Sequence, residues 1–275
     1  MNVETYADNL FVQDGLFFSK NKTEISYPEE GNVHCAQIED SSFWFKHRNK
    51  CIEAVVQKYG QKRVFFDVGG GNGFVAKGIQ ASGTEAILVE PGINGCLNAQ
   101  KRKIKTIICS TLEDAGFFPD RLPAVGLFDV VEHIEDDISF LKQIHRYLEN
   151  EGLIYITVPA YKLLWSADDD YAGHFRRYTL AEMEQKLTSL GFDMLYSTYI
   201  FSILPLPIFL MRTLPSKFLK TKSPSDLDKI KDEHGEKSSL LNDLLNKLWQ
   251  WELRQINAGK KIPFGGSCLL VAKKK

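Results

Sequence analysis

The sequence lacks the marks of several protein classes. Cysteine is sparse: Cys35, Cys51, Cys96, Cys109 and Cys268 are widely spread and contain no CxxC pair. An odd, scattered set of this kind excludes a disulfide framework and predicts a reducing, cytoplasmic address. Charge of one sign is lacking too, with 34 Lys+Arg against 35 Asp+Glu and a formal net charge of -1, which argues against a chain that coats nucleic acid through bulk electrostatics. The N-terminal stretch has no basic region followed by an apolar run, so it does not read as a signal peptide. The longest apolar stretch, Tyr199 to Met211, is interrupted by Pro205 and Pro207 and falls short of the roughly 20 residues that span a bilayer. No transmembrane helix is expected, and at most a peripheral membrane contact. What remains, 44% hydrophobic and 12% aromatic residues in a chain of 275, is ordinary globular composition, long enough to bury a core without staples.

Between Arg63 and Pro159 short β-branched or aromatic runs alternate with amphipathic segments, the pattern of βαβ units in a parallel sheet covered by helices. Strands are expected at Arg63–Val68, Glu85–Glu90, Lys105–Cys109, Pro123–Phe128 and Gly152–Val158. A long helix is expected over Ile38–Tyr59, and another starts at the acidic Glu135-Asp136-Asp137, with Ile138, Leu141, Ile144 and Leu148 at helical spacing. Beyond Pro159 comes a loop rich in Trp, Asp, His and Arg, from Ala160 to Tyr178. Thr179 and Glu182 then form a capping box that opens a helix ending near Leu190-Gly191. Phe192–Phe201 and Gly266–Ala272 read as two further strands, and the Lys273–Lys275 tail as a solvated end. Between them Lys220–Ser239, with five lysines and five acids in twenty positions, has almost nothing to bury and reads as a mobile surface linker. Leu240–Ile256 reads as a strongly amphipathic helix.

Asp67-Val68-Gly69-Gly70-Gly71-Asn72-Gly73 sits where the first of these strands ends and a helix begins. Glycines there let backbone N–H groups approach a ligand closely. Two registers compete. Gly71-x-Gly73-x-x-Ala76, with Glu90 following, satisfies a dinucleotide fingerprint and supports an NAD-dependent oxidoreductase. That register leaves the Asp67 carboxylate unpaired inside a buried strand. The alternative puts Asp67 at the strand tip, where it orients the loop or meets the amino group of an amino-acid-like cofactor, while Glu90 takes a ribose diol.

In the second register the chain resembles the class I S-adenosylmethionine-dependent methyltransferases. Asp67-x-Gly69-x-Gly71-x-Gly73 is similar to the family's first motif, and Glu90-Pro91 to its second, implying that Glu90 binds the adenosyl ribose hydroxyls. Thr111, Leu112 and Glu113 fall where relatives hold the adenine. Asp129, Glu132, His133 and Asp136 follow the pattern of the fourth motif, which lines the pocket beneath the methyl group. Arg48 resembles an arginine that some relatives present to the methionine carboxylate. The resemblance implies an α/β fold, a doubly wound, seven-stranded, mostly parallel sheet with an antiparallel last strand. It implies residues 1–37 as an N-terminal cap, 38–202 and 263–275 as the S-adenosylmethionine-binding core, and 203–262 as a lid, linker and helix insertion. A catalytically inactive cofactor-binding interaction protein is the non-enzyme alternative.

On the acceptor side His133 is the best-placed titratable group for a general base, with Asp129 beside it. Asp129-x-x-Glu132-His133 also resembles the Glu-x-x-Glu-His metal site of certain polyprenyl-phenol O-methyltransferases. The first ligand is Asp instead of Glu and no second histidine is nearby in the sequence, so no metal is expected. The segment from Trp165-Ser166 through Gly173-His174-Phe175-Arg176-Arg177-Tyr178-Thr179 resembles one in a bacterial methyltransferase subgroup linked to cell-envelope sugar and lipid assembly. A loop beyond a strand's C-terminal end overlies the ligand crevice. Trp165 and Tyr178 can then wall the acceptor with His174, while Arg176 or Arg177 grips a carboxylate or phosphate. The alternative is that Asp168, Asp169 and Asp170 pair with these arginines and rigidify the loop. The acceptor implied is a small molecule or a lipid-linked sugar.

Overall fold

The computed structural model describes residues 3–21, 36, 38–214 and 239–275. Strand alternation decides its layering. In β3 (Phe65–Val68) and β4 (Ala86–Val89) every residue is buried, although neighbours point to opposite faces. Phe66 and Ile87 join one apolar cluster, Phe65 and Leu88 the other. A sheet with a core on each face is what continuous apolar runs in parallel strands require.

The remaining strands are β1 (Leu10–Gln13), β2 (Leu16–Ser19), β5 (Thr106–Cys109), β6 (Leu122–Phe128), β7 (Leu148–Pro159), β8 (Phe192–Ile200) and β9 (Ser267–Lys274). Their order across the sheet is β1-β2-β5-β4-β3-β6-β7-β9-β8. The expected seven strands are all present, with β9 running antiparallel between β7 and β8. The described sheet nevertheless has nine strands, not seven. The extra pair is an antiparallel hairpin, whose second strand lies parallel to β5. Its turn is Asp14-Gly15, both residues at positive φ (51° and 78°), the conformation a two-residue hairpin turn demands. That Asp-Gly between Leu10–Gln13 and Leu16–Ser19 was a readable signal.

Helices cover both faces. On one side lie α1 (Phe43–Tyr59), α2 (Phe74–Ala81) and α3 (Ile93–Lys101), which contribute Ile52, Val55, Ile79 and Cys96 to one core. On the other lie α4 (Asp137–Tyr147) and, after the short α5 (Ala167–Ala172), α6 (Leu180–Ser189), which contribute Leu141, Ile144, Met183 and Leu187. The expected capping box opens α6, with Thr179 and Glu182 each accepting the other's backbone N–H. α1 starts later than its pattern suggested, at an N-cap Ser42 whose hydroxyl accepts from Trp44 N at 3.2 Å.

The apolar stretch from Tyr199 ends β8 and continues as α7 (Pro205–Ile208) and a π turn (Phe209–Thr213). Phe201 is fully buried, whereas Leu206 and Leu210 are exposed. α8 (Ser239–Asn257) packs on α1. Its Glu252, fully buried, takes His47 Nε2 at 2.8 Å and the backbone N–H groups of Phe201 and Ser202 at 3.0 and 2.6 Å. Most of Lys220–Ser239 lies outside the described residues, as does Cys35; the other four cysteines are buried thiols. The C-terminal lysines are not a solvated end. Lys273 and Lys274 belong to β9, and the buried Lys274 ammonium donates to Asp120 at 2.6 Å and to the Leu148 carbonyl at 2.8 Å. Among the described residues no helix is long and apolar enough to cross a membrane.

Candidate active site

The C-terminal ends of β3, β4, β6 and β7 open on one cavity, of about 720 Å³. Because β9 runs the other way, its first residue, Ser267, and the preceding Gly266 reach the same rim. One wall is backbone. Gly69, Gly71 and Gly73 all adopt left-handed φ (68°, 53° and 70°), which side chains resist. A Cβ on Gly70 would stand 2.4 Å from an Asp67 carboxylate oxygen. Asp67 is not at the strand tip; it lies within β3 and is fully buried. Its Oδ2 accepts from Ala76 N at 3.1 Å, anchoring the start of α2, and its Oδ1 has no partner. Burial pushes its carboxyl up to about 7. Glu90 braces the loop from the neighbouring strand end, accepting from Gly71 N at 2.9 Å and from Gly92 N at 2.8 Å.

The opposite wall is side chains. Asp129, just past β6 at a φ of 57°, accepts from the Thr157 hydroxyl at 2.9 Å and pairs with Arg48, whose guanidinium rests 4.9 Å from the Trp44 ring centroid. Glu132 is 1% exposed, and neither carboxylate oxygen has a hydrogen-bond partner. Burial, with Asp129 beside it, holds its carboxyl well above the usual range. His133 and His174 meet edge to face with ring centroids 4.7 Å apart. Burial and the neighbouring His174 bring His133 down to about 4, so it is a neutral imidazole at physiological pH.

The loop that carries His174 is tied by Asp169. This buried carboxylate takes His174 Nδ1 at 2.9 Å, Arg177 Nε and Nη2 at 2.7 and 3.0 Å, and Ser166 N at 2.8 Å. Burial works to raise its pKa, but the bonds from His174 and Arg177 outweigh that and bring it down to about 2. Phe175 N donates to the Glu132 carbonyl at 2.8 Å, docking the loop on the turn that carries Glu132 and His133.

Residues 44–197 match the model of a methyltransferase domain family. The chain belongs to that family. It is an S-adenosylmethionine-dependent methyltransferase of class I. The fold recurs in solved structures of low identity. One is the complex between the Haloferax volcanii Trm112 methyltransferase activator and a methyltransferase (14% identity, 89% of this chain and 94% of that one, TM-score 0.57). A second is Haemonchus contortus phosphoethanolamine N-methyltransferase 2 with phosphomonomethylethanolamine and S-adenosylhomocysteine (18%, 90% and 57%, TM-score 0.55). A third is a SAM-dependent methyltransferase from Archaeoglobus fulgidus (18%, 85% and 100%, TM-score 0.50). This chain thus spans little more than half of the nematode enzyme. A search of curated proteins found no match.

The residues of this methyltransferase fit an adenosyl cofactor with an amino-acid end. The glycine loop leaves room against the backbone, and the buried, unpartnered Asp67 Oδ1 awaits a donor. Of the expected cofactor residues, Asp67, Gly69, Gly71, Glu90, Pro91 and Arg48 line the cavity. Gly73 lies behind it as the N-cap of α2. Thr111, Leu112 and Glu113 are not in the lining: Thr111 Oγ1 caps a turn by accepting from Asp114 N, Leu112 is buried in the core and Glu113 is exposed. On the acceptor side His133, Asp129, His174 and Arg177 line the cavity, but Trp165, Arg176 and Tyr178 do not. Trp165 Nε1 donates to Asp170 at 3.0 Å, Arg176 pairs with Asp137 at 3.0 Å, and the Tyr178 hydroxyl donates to Asp137 at 2.7 Å. Sequence reading offered Asp169 as a partner of the loop arginines, which its pairing with Arg177 matches, and placed Glu132 only in motif resemblances, judging that no second histidine stood near His133. The Asp-rich run before His174 was the available signal; that it folds back onto Glu132 was not.

Proposed function

We propose that this methyltransferase transfers the methyl group to an oxygen or nitrogen of a small-molecule or lipid-linked acceptor, such as a cell-envelope sugar. The observation that carries the reading is the division of one cavity into a backbone-lined wall and a facing wall of Glu132, His133, His174 and Arg177. Bound S-adenosylmethionine supplies an electrophilic methyl on a sulfonium. The chain's own part is alignment, since holding reactants in line can supply ~7–11 kcal/mol.

In this reading Asp67 meets the cofactor's amino group, Glu90 the ribose hydroxyls, and Arg48, released from Asp129, the carboxylate. Thr111, Leu112 and Glu113, outside the cavity lining, are given no cofactor contact. His133, neutral at working pH, accepts the acceptor's proton; its lowered proton affinity makes it a modest base, and Asp129 stabilises the imidazolium. Arg177 belongs chiefly to the Asp169 knot. Ile208, reaching the lining from α7, offers an apolar rim to a lipid tail.

Calorimetric titration with S-adenosylhomocysteine and with NAD tests the donor half. Micromolar binding of the first alone is expected, whereas NAD binding alone would sink the reading. For the acceptor half, methylation assays over polar-lipid and sugar acceptors should show His133→Ala losing turnover while keeping S-adenosylhomocysteine affinity. Unchanged turnover would remove His133 as the base.

A further inference from the structure

Glu132 poses a problem that methyl transfer does not solve. A carboxylate taken wholly out of water without a donor is destabilising by several kcal/mol, and neither oxygen has a hydrogen-bond partner among the described residues. It nevertheless lines the cavity. Beside it stand two histidines from different segments, and one ligand atom from each of Glu132, His133 and His174 lies within 4.8 Å of the others.

The orientation of His174 adds a second, independent observation. Its Nδ1 faces Asp169 Oδ1 at 2.9 Å. Asp169 is itself fixed by two bonds from Arg177, so it acts as an acceptor and holds the proton on Nδ1. The lone pair of His174 is thereby left on Nε2. A carboxylate behind a histidine is the arrangement that orients an imidazole toward a metal and raises its basicity.

We propose that Glu132, His133 and His174 form a binding site for a divalent transition-type cation, with Zn²⁺ the best match and Asp169 as the positioning residue. Two imidazoles and one carboxylate are a ligand set that suits zinc and leaves positions open. Tetrahedral bonds of ~2.0–2.1 Å would draw these donors from within 4.8 Å of one another to about 3.3 Å. Asp129 and Asp169 are each paired with a guanidinium, of Arg48 and Arg177, so Glu132, ionised on binding, is the carboxylate left to meet a cation. All three donors line the cavity, so positions left open on a bound cation would meet its contents. The inference goes beyond the methyl-transfer reading; within it, a cation-bound His133 would have no lone pair left for a proton, and the cation in place of His133 would acidify an acceptor oxygen.

The test titrates chelator-treated, full-length protein with ZnCl₂ by calorimetry and, in parallel, with CoCl₂ by visible absorption. One equivalent of Zn²⁺ should bind at micromolar Kd or tighter. Glu132→Gln and His174→Ala should each weaken it by about 100-fold or more, and Asp169→Asn by about 10–100-fold. S-adenosylhomocysteine affinity should hold in all three. His174→Ala carries the test should the buried Glu132 variant fail to fold. No stoichiometric binding, binding unchanged in the variants, or a thiolate charge-transfer band in the cobalt spectrum would overturn the site. S-adenosylhomocysteine titration of the wild type separates this failure from failure of the methyl-transfer reading.

Discussion

The two walls of the cavity are built by opposite means. The donor wall comes from one continuous stretch, Asp67 to Gly73, plus Glu90; its polar surface is mostly backbone, shaped by glycines at left-handed φ. The acceptor wall gathers side chains from α1, the end of β6, the turn after it and the loop beyond β7, and most of its charge is spent on itself, in Arg48 with Asp129 and Arg177 with Asp169. A backbone-built wall tolerates any side chain that stays clear of it. A side-chain-built wall depends on every member being present.

The sharpest way to break that contrast is Asp169→Ala, which strands Arg177 and His174 together. Losing one partner of a buried charged network typically costs about 3–5 kcal/mol, and urea denaturation should show a loss of that size. A loss below about 1 kcal/mol would mean that the acceptor wall does not depend on its knot. The donor wall carries its own strained charge. Asp67 is raised to about 7 in the fold against an ordinary value of 3.8. Between about pH 4 and about pH 7 the folded chain therefore holds a proton that the unfolded chain has released, and stability falls as pH rises through that window. Between pH 5 and pH 8 the ligand-free wild type should lose about 2–3 kcal/mol relative to Asp67→Asn, measured by denaturation at the two pH values. Parallel curves for the two proteins would remove the assignment.

Gly71→Val places a β-branched residue at a φ of 53°, on the loop that Glu90 braces. Titration should show S-adenosylhomocysteine affinity reduced at least ~100-fold, about 3 kcal/mol; normal binding would show that the loop is not the donor wall. The smallest effects sharpen the comparison within the acceptor loop. Tyr178→Phe removes a buried bond to Asp137 and should cost about 1–2 kcal/mol. Arg176→Ala, at a part-exposed pair with the same carboxylate, should cost less than about 1 kcal/mol. Thermal unfolding orders the two, and the reverse order would place Arg176 inside the structural knot.

Legibility followed the same division. The donor wall was readable because its constraints are local: glycines next to one another, a strand before them and a helix after. The parallel core strands were readable for a similar reason, since a strand buried on both faces leaves a continuous apolar run. The hairpin turn at Asp14-Gly15 is equally local, but its strands are only four residues each and the first is largely exposed, so no apolar run or alternation marks them. The burial of Lys274 and Glu252 depends on partners far away in sequence, Asp120 and His47, and no spacing reports those. The pairing of His133 with His174 belongs to the same class. Likewise, the motif could not say which arginine of Arg176-Arg177 faces the cavity, because Asp169 and Asp137 compete for them in space.

The placement of β9 bears on how such a protein can diversify. β8 ends at Ile200 and β9 begins at Ser267 on the same rim, so the intervening chain departs from and returns to the mouth of the cavity. Residues can be added to or removed from that span without shifting the register of any strand pair. Evolution can therefore remodel what reaches the acceptor wall from that span while the sheet and glycine loop stay unchanged, so long as Glu252 keeps its bonds to His47, Phe201 and Ser202.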